Sequence, residues 1–334
     1  MSVKTEVLKL LETHRHEDLS GQQIAEKLGV TRAAVWKAVN ALKGEGYRIE
    51  AANNRGYRLD LENDVLSAEG IYPQLKKKYQ EREVFVYKSI DSTNQEVKRR
   101  ALDGAQEWLV VLSEEQTAGK GRRGRSFYSP PGTGIYMSVL FHPTEEQAHD
   151  VVLITTAASV AVCRAIRSLM PEEPQIKWVN DVYLRGKKIC GILTEAVSDF
   201  ESGRIDTVVV GIGINYHVPE EGFPEEIREV AGSVCTDEIK IPRNDLAAAV
   251  LNELYELYDG LAARTFLEDY KRWSNVLGRE VRFSSGNTVA EDGKKGSWQY
   301  GTAVDIDCDG GLVVRLKDGE EQVLRTGEIT LRVV

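Results

Sequence analysis

The chain has 334 residues, about twice the length of a typical domain, and this length predicts two or three domains. Its net charge of −9 argues against a protein whose whole surface binds nucleic acid, so only a local basic patch could serve that purpose. Apolar residues make up 42% and charged residues 28% of the chain, which is the globular range and excludes disordered, collagen-like and coiled-coil proteins.

The N-terminus and the cysteines indicate the cellular setting. Charged residues interrupt the N-terminal segment, and the longest nearly apolar run, residues 151–162, is too short to cross a bilayer. We therefore expect neither a signal peptide nor a membrane span. The four cysteines are scattered without a C-x-x-C pair or neighbouring histidines, so neither a zinc site nor a disulfide framework is indicated. Together these features predict a soluble cytoplasmic protein.

The first sixty residues predict a winged helix-turn-helix. Ser20 and Gln23 have the spacing of a capping box at the start of a second helix, and Gly29 is placed to end it. Thr31 can then cap a third helix, and two helices joined by a short glycine-bearing turn are typical of DNA-binding proteins. Strand-like residues 47–50 and 56–59, joined across Asn53, Asn54 and Arg55, resemble the added wing.

The charges of this region support DNA binding. Between Lys27 and Arg58 there are seven Lys or Arg and two acidic residues, which gives a local charge of +5 that could contact phosphates. The outer face of the third helix contains no acid. The alternative is a three-helix bundle whose exposed face is merely solvated or docks a protein. The residues predicted to contact DNA are Thr31, Arg32, Trp36, Lys37, Asn40 and Arg55.

The pattern of apolar and polar residues in the remainder of the chain changes at two points. The polar residues 62–64 mark a linker, after which apolar strand candidates at 84–87, 109–112, 135–141 and 207–214 mix with helix candidates near 148–169 and 244–270. From about residue 275 short β-rich runs predict a small all-β barrel or sandwich. These runs are 280–283, 301–304, 312–316 and 329–333.

The most informative stretch is a glycine-rich cationic loop. Residues 119–134 contain five glycines and four basic residues, a composition that predicts a flexible loop rather than a strand or helix. Glycines let backbone N–H groups surround an anion and Lys or Arg neutralise it, so phosphate or carboxylate is the expected ligand. The spacing is not that of a Walker A motif. On composition alone, a disordered basic surface loop or an RNA-binding tract is the alternative.

Five motifs in order resemble those of the biotin–protein ligases. They are DSTN at 91–94, GKGRRGRSFYSPPGTGIYMS at 119–138, IKWVND at 176–181, KKICGIL at 187–193 and GIGIN at 211–215. With the flanking domains, the resemblance extends to the bifunctional form that is also the biotin operon repressor. Lys120 stands where the family usually has Arg; because Lys cannot make a planar bidentate contact, we expect it to act through its backbone or as a point charge.

The resemblance implies an α+β multidomain fold. We expect a winged helix-turn-helix at residues 1–64 and a mixed-sheet catalytic domain, similar to class II aminoacyl-tRNA synthetases, at 65–276. An SH3-like β-barrel is expected at 277–334.

The resemblance also implies a set of ligand-binding residues. Those implied for biotin are Ser92, Thr93, Asn94, Gln116, Lys120, Gly121, Arg122, Lys188, Gly191 and Gly211. Those implied for ATP and the adenylate are Arg122, Arg125, Phe127, Asn180 and Asn215. Gly191 and Gly211 are expected to let the backbone approach the ligand. This division is chemically reasonable, because a neutral ureido ring requires hydroxyl and amide partners and a carboxylate requires cations.

The implied reaction forms biotinyl-5′-AMP from biotin and ATP and then transfers biotin to an acceptor lysine. Lys188, Arg122 and Asp181 are the catalytic residues, and Mg²⁺ is the expected cofactor, although no defined set of magnesium ligands follows from the sequence. The implied partners are the biotin carboxyl carrier domain of a carboxylase, operator DNA and a second copy of the chain, whose association the adenylate promotes. No membrane partner is expected.

Two other functions stay open at this point. One is a ligand-responsive repressor without turnover, and the other is a lipoate or octanoate ligase, which lacks the Arg-rich loop. Taken singly, each motif also has a structural explanation. Residues 92–94 are typical of a helix N-cap, and Lys188 could be a solvated surface lysine.

Overall fold

The N-terminal unit has the predicted winged helix-turn-helix form. The computed structural model describes residues 2–52, 55–144, 151–198, 205–285, 298–325 and 329–333. The unit consists of helices α1 (Val3–Thr13), α2 (Gly21–Leu28) and α3 (Arg32–Gly44) and strands β1 (Ile49–Ala52) and β2 (Gly56–Leu59). Asn53 and Asn54, predicted at the tip of the wing, lie outside the described residues.

The predicted helix boundaries of this unit are confirmed. Ser20 and Gln23 form the reciprocal capping box, Gly29 ends α2 in the left-handed conformation at φ 65°, and Thr31 accepts a hydrogen bond from the Ala34 N–H. The first wing strand begins at Ile49, two residues later than predicted. The reason is that the Tyr47 N–H bonds to Leu42 O and closes the turn after α3.

A seven-stranded mixed sheet forms the centre of the molecule. Its strands are β3 (Val84–Tyr87), β4 (Val110–Ser113), β5 (Gly134–Phe141), β6 (Gln175–Lys177), β7 (Asp181–Leu184), β8 (Lys187–Ser198) and β9 (Ile205–Asn215). They are ordered β3-β4-β5-β9-β8-β7-β6, with β3 and β4 parallel and the other neighbours antiparallel. The predicted mixed sheet is therefore confirmed.

Helices cover this sheet and connect its strands. They are α4 (Ala68–Ile71), α5 (Thr93–Leu102), α6 (Val151–Leu169), α7 (Glu225–Arg228), α8 (Arg243–Asp259) and α9 (Phe266–Trp273). The single helix expected near 244–270 was wrong, because the chain turns after α8 and Arg264 adopts a left-handed conformation at φ 55° before α9 begins. Residues 148–150 of the helix expected near 148–169 lie outside the described residues.

Helix α6 is the apolar centre of the helical layer. By length and composition its segment Val152–Leu169 could cross a membrane, but 72% of that segment is buried inside the protein. Its side chains join one continuous apolar core with the sheet and with α8. The segment is therefore accounted for as a core helix of the folded domain.

The C-terminal unit is a five-stranded antiparallel sheet, as the β-rich runs predicted. Its strands are β10 (Glu280–Ser285), β11 (Gln299–Ile306), β12 (Leu312–Leu316), β13 (Glu321–Leu324) and β14 (Ile329–Val333), ordered β13-β12-β11-β10-β14. Strand β13 was not predicted, because three of its four residues are exposed and its sequence shows little alternation. Trp178 Nε1 donates to Gly310 O at 2.9 Å and joins this unit to the central domain.

Arg243 fixes the linker between the first two units. It is 4% exposed, and its Nε donates to Asp64 Oδ2 at 3.0 Å. Its Nη1 donates to Glu114 Oε2 at 2.5 Å and to Gly134 O at 3.3 Å. One guanidinium therefore joins the linker to the end of β4 and the start of β5.

Removal of this guanidinium should destabilise the protein strongly. Arg243→Met leaves two partly buried carboxylates without their cation, and breaking such a buried ion pair costs about 3 kcal/mol or more. Arg164→Met is the matched control, because Arg164 is 33% exposed and its pair with Asp269 should contribute no more than about 1 kcal/mol. Urea denaturation followed by tryptophan fluorescence measures both, and equal losses in the two variants would contradict this role for Arg243.

Candidate functional site

The cationic loop between β4 and β5 folds back on itself. The Gly121 N–H donates to Arg125 O at 2.7 Å and the Phe127 N–H donates to Gly119 O at 2.9 Å. A single 3₁₀ turn spans Arg122–Gly124 between these contacts. The stretch predicted from composition to be a flexible loop thus has defined internal hydrogen bonds. Its cationic side chains are held around one space.

That space is a cavity of about 220 Å³ with a strongly positive lining. Among the described residues that line it, the cations are Lys120, Arg122, Arg123, Arg125, Lys177 and Lys188, and the carboxylate is Asp181. Phe127, Asn180 and Gly191 lie in the same wall. An excess of cations over acids in a concave site favours an anionic ligand.

Two contacts organise the centre of the cavity. Lys188 Nζ lies 2.7 Å from Asp181 Oδ1, across the β7–β8 hairpin. Arg122 Nη1 donates to Asn180 Oδ1 at 3.0 Å and so ties the loop to the start of β7. Burial lowers the pKa of Arg122, while Asp181 opposes that shift. A bound anion would therefore stabilise a guanidinium that the protein alone leaves incompletely compensated.

A second, smaller cavity of about 30 Å³ adjoins the first and is polar on one side. Ser92, Thr93, Asn94 and Gln116 line it, as the resemblance implied. Gln116 Oε1 accepts hydrogen bonds from Thr93 N at 2.9 Å and Thr93 Oγ1 at 3.1 Å. Ser92 precedes α5 but its side chain makes no capping hydrogen bond. Ser92 is thus the N-cap residue of α5 by position, but its side chain does not cap the helix and the residue lines the pocket.

Phe127 lines both cavities. Its ring lies over Gly191 and Gly213, which face each other in the β8–β9 ladder. A Cβ at Gly213 would lie 2.6 Å from the ring, and one at Gly191 would lie 3.3 Å away. These glycines therefore provide space for an aromatic side chain.

Gly211 lines the smaller cavity and also makes room for a protein side chain. A Cβ there would lie 2.2 Å from Asn94 Oδ1, so the absent side chain makes room for a protein carboxamide. Gly211 and Gly191 were expected to admit the ligand to the backbone. In this structure the space beside Gly211 is occupied by Asn94 and that beside Gly191 by Phe127 and Lys188.

Asn215 is not brought to either cavity. Its Nδ2 donates to Gly232 O at 3.0 Å, which holds the segment after β9. Conversely, sequence reasoning missed Ser138 and Glu195, which contact Asn94, and Lys98, which contacts Glu195. The signal for Ser138 was one serine within the otherwise apolar and aromatic strand β5.

The predicted DNA-contacting side chains are all on the surface. The exposed set is Thr31, Arg32, Trp36, Lys37, Asn40 and Arg55. Trp36 is 58% exposed, which is unusual for a large aromatic side chain unless it serves a contact. Arg58 pairs with Glu50 at 2.6 Å, so part of the local positive charge is already compensated.

Three segments of the chain match known families. Residues 86–215 match the biotin/lipoate A/B protein ligase family, residues 4–58 an HTH domain and residues 276–332 the biotin protein ligase C terminal domain. The chain is 30% identical to the bifunctional ligase/repressor BirA of Bacillus subtilis, over 96% of this chain and 97% of the relative. It is also 30% identical to that of Escherichia coli, over 94% and 92%.

A solved structure shows the same similarity in three dimensions. The biotin protein ligase from Aquifex aeolicus in complex with biotin and ATP aligns with a TM-score of 0.62 at 25% identity, over 75% of this chain and 99% of that one. The family models, the relatives and the solved structure indicate the same family. The chain therefore belongs to the biotin–protein ligase family, in the form that carries an N-terminal helix-turn-helix domain.

Proposed function

We propose that this protein activates biotin with ATP, transfers it to a carrier lysine, and represses biotin genes through its helix-turn-helix domain. The observation that carries the proposal is the joining of two unlike cavities. The small one offers hydroxyl and amide groups for a neutral cyclic urea, and the large one offers cations for a carboxylate and phosphates. Biotinyl-5′-AMP carries a neutral cyclic urea at one end and an anionic adenylate at the other, so it requires these two environments side by side.

The first step joins two anions. A biotin carboxylate oxygen attacks the α-phosphorus of ATP, the bond to the bridging oxygen breaks, and pyrophosphate leaves with the electron pair. Lys188 and Arg122 neutralise the carboxylate and the α-phosphate, which otherwise repel each other. Asp181 holds Lys188 at the cavity wall through its ion pair.

The second step breaks the mixed anhydride. The ε-amine of the acceptor lysine attacks the biotinyl carbonyl carbon, an amide bond forms, and AMP leaves. The loop residues Lys120, Gly121 and Arg122 cover the anhydride and keep water from hydrolysing it. Arg125 and Phe127 enclose the adenine, and Asn180 positions Arg122. The proposed role of Asn215 is to support the segment after β9.

Mg²⁺ fits this site as a partner of the ATP phosphates. Within the described part of the chain no group of three or more His, Cys, Asp or Glu side chains could hold a metal by itself. One carboxylate suffices when substrate phosphates supply the other ligands, and the presence of Asp181 in the cavity wall supports this proposal. When bound, Mg²⁺ would supply further charge neutralisation at the phosphoryl oxygens.

The wider assignments belong to the same proposal. The acceptor is a biotin carboxyl carrier domain, the repressor binds operator DNA as an adenylate-promoted homodimer, and the protein is cytoplasmic. We retain the division into domains at 1–64, 65–276 and 277–334. Biotin-dependent exchange of pyrophosphate into ATP tests the enzyme directly. Its absence would favour a repressor without turnover, and its dependence on lipoate or octanoate would favour the other ligase.

Lys188→Ala should remove most adenylation. A cation next to the reacting carboxylate and phosphate acts mainly on the transition state, and losing such a group commonly lowers kcat by about 100-fold or more. Lys187→Ala is the matched control, because the adjacent lysine bonds to Glu229 O and does not line the cavity. Pyrophosphate exchange at saturating biotin measures both. Wild-type exchange in Lys188→Ala would show that Lys188 is a surface lysine.

Arg122→Gly should release the adenylate prematurely. The change removes the contact to Asn180 that anchors the loop over the anhydride. We expect faster dissociation of biotinyl-5′-AMP and biotinylation of unrelated lysines, both visible by filter binding and a streptavidin blot. Arg122→Lys, which keeps the charge, should retain the intermediate better than Arg122→Gly. Retention equal to wild type in Arg122→Gly would contradict this role.

Adenylate should promote dimerisation and operator binding together. Each monomer presents only a small positive surface, and helix-turn-helix proteins overcome weak half-site binding by dimerising on a two-fold operator. Linkage then requires that DNA also tighten adenylate binding. Sedimentation with and without adenylate, followed by operator titration at fixed salt, measures both effects. Mass and operator affinity that do not respond to adenylate would refute the regulatory part and leave the ligase intact.

A further inference from the structure

A polar network behind the small pocket fixes the orientation of Asn94. Asn94 Nδ2 donates to Glu195 Oε2 at 2.7 Å and to Leu193 O at 3.3 Å. Asn94 Oδ1 accepts from Ser138 Oγ at 2.6 Å. The residue is 4% exposed, so water cannot easily replace these partners.

Counting hydrogen bonds shows what Asn94 can still offer. A carboxamide nitrogen has two hydrogens and its oxygen has two lone pairs. Glu195 and Leu193 use both hydrogens, and the single hydroxyl hydrogen of Ser138 lies within reach of both Asn94 Oδ1 at 2.6 Å and Thr93 Oγ1 at 2.7 Å. At least one acceptor lone pair therefore remains on Oδ1. Asn94 can therefore accept a hydrogen bond from a ligand N–H but has no hydrogen left to donate.

Glu195 determines this orientation because an ionised carboxylate only accepts hydrogen bonds. Lys98 Nζ lies 2.7 Å from Glu195 Oε1 and joins α5 to β8. Burial by itself raises the pKa of Glu195, but hydrogen bonds from Lys98 and Asn94 outweigh it and hold that pKa below its ordinary value. The carboxylate stays charged at neutral pH, and Asn94 cannot turn its oxygen toward it.

We propose that Glu195, held by Lys98, is a positioning residue for biotin that keeps Asn94 as an acceptor for a ureido N–H. This role rests on the proposed function and adds a specificity element to it. A cyclic urea presents N–H donors and matches the pocket, whereas a ligand without an N–H at this point leaves a buried lone pair of Asn94 Oδ1 unused. Neither Glu195 nor Lys98 lines the cavities, so they act through Asn94.

Glu195→Gln tests the role without changing the shape of the side chain. A Gln amide can donate as well as accept, so Asn94 is free to rotate and present its NH₂ group to the ureido N–H. We expect Kd and KM for biotin to rise about tenfold, the loss of roughly one oriented hydrogen bond. The kcat and the KM for ATP should stay within about twofold, because the reacting groups lie in the other cavity. Calorimetry and pyrophosphate exchange on the full chain give these values.

Asp269→Asn is the matched control. Asp269 Oδ2 pairs with Arg164 Nη2 at 2.7 Å, is 29% exposed against 26% for Glu195, and joins α9 to α6 away from both cavities. Asp269→Asn likewise removes one carboxylate, and it should leave the Kd and KM for biotin unchanged. A second variant, Lys98→Met, retains the Glu195 carboxylate but removes its ion pair, and it should raise KM for biotin less than Glu195→Gln does.

Three results would overturn the role. Wild-type biotin affinity in Glu195→Gln would do so, as would an equal loss in Asp269→Asn, which would show only a loss of stability. If Glu195→Gln fails to fold, an unchanged KM for biotin in Lys98→Met overturns it. A wild-type protein that does not bind biotin would refute the proposed function itself, and this result is seen before any variant is compared.

Discussion

A cavity lined by six cationic side chains and one carboxylate is the constraint on which the rest of the structure depends. Like charges around one space repel each other, and the repulsion grows as water is removed. Asp181 offsets part of this repulsion through its ion pair with Lys188, and Arg122 donates to Asn180. Burial lowers the pKa of Arg122, and Asp181 opposes that shift. A bound anion would offset more of the repulsion.

The central sheet determines the shape of the two cavities, whereas the cationic loop contributes most of the positive charge of the larger one. Gly191 and Gly213 are opposite one another in adjacent strands and give a flat area on which the Phe127 ring rests. Ser138 is likewise opposite Gly211, and Asn94 fits into the space between them. Both features need a pair of residues on neighbouring strands, at least one of them without a side chain. The long β8 and β9 strands make such pairing possible.

The sequence was sufficient for the local features and for the order of the motifs. Capping at Ser20, Gly29 and Thr31 depends on residues a few positions apart, and these boundaries were correct. The pocket residues 92–94 and Gln116 were also brought together as expected. Long-range side-chain contacts were not accessible. Glu195 follows Asn94 by about one hundred residues, and no local pattern indicates that they meet.

The side-chain contacts of the glycines were not accessible for the same reason. A glycine in a strand shows that something approaches the backbone, but not whether it is a ligand or a side chain. At Gly211 the neighbour is the Asn94 carboxamide, and at Gly213 it is the Phe127 ring. Asn215 was assigned to ATP by its motif, whereas its amide bonds to Gly232. Only the register of strands β5, β8 and β9 shows which group lies beside each glycine.

The linker joins the DNA-binding unit to the same pocket. Arg243 contacts Asp64 in the linker and, on the other side, Glu114 and Gly134, which flank the cationic loop at its two ends. Leu66 N also donates to Glu114 Oε1 at 3.1 Å. A displacement of either loop end therefore changes the hydrogen bonds that hold the linker. Because the Arg243 guanidinium is buried and its carboxylate partners are partly buried, small changes in the distances between them change the free energy appreciably. The ends of the cationic loop and the linker that follows the helix-turn-helix domain therefore share one set of hydrogen bonds and ion pairs.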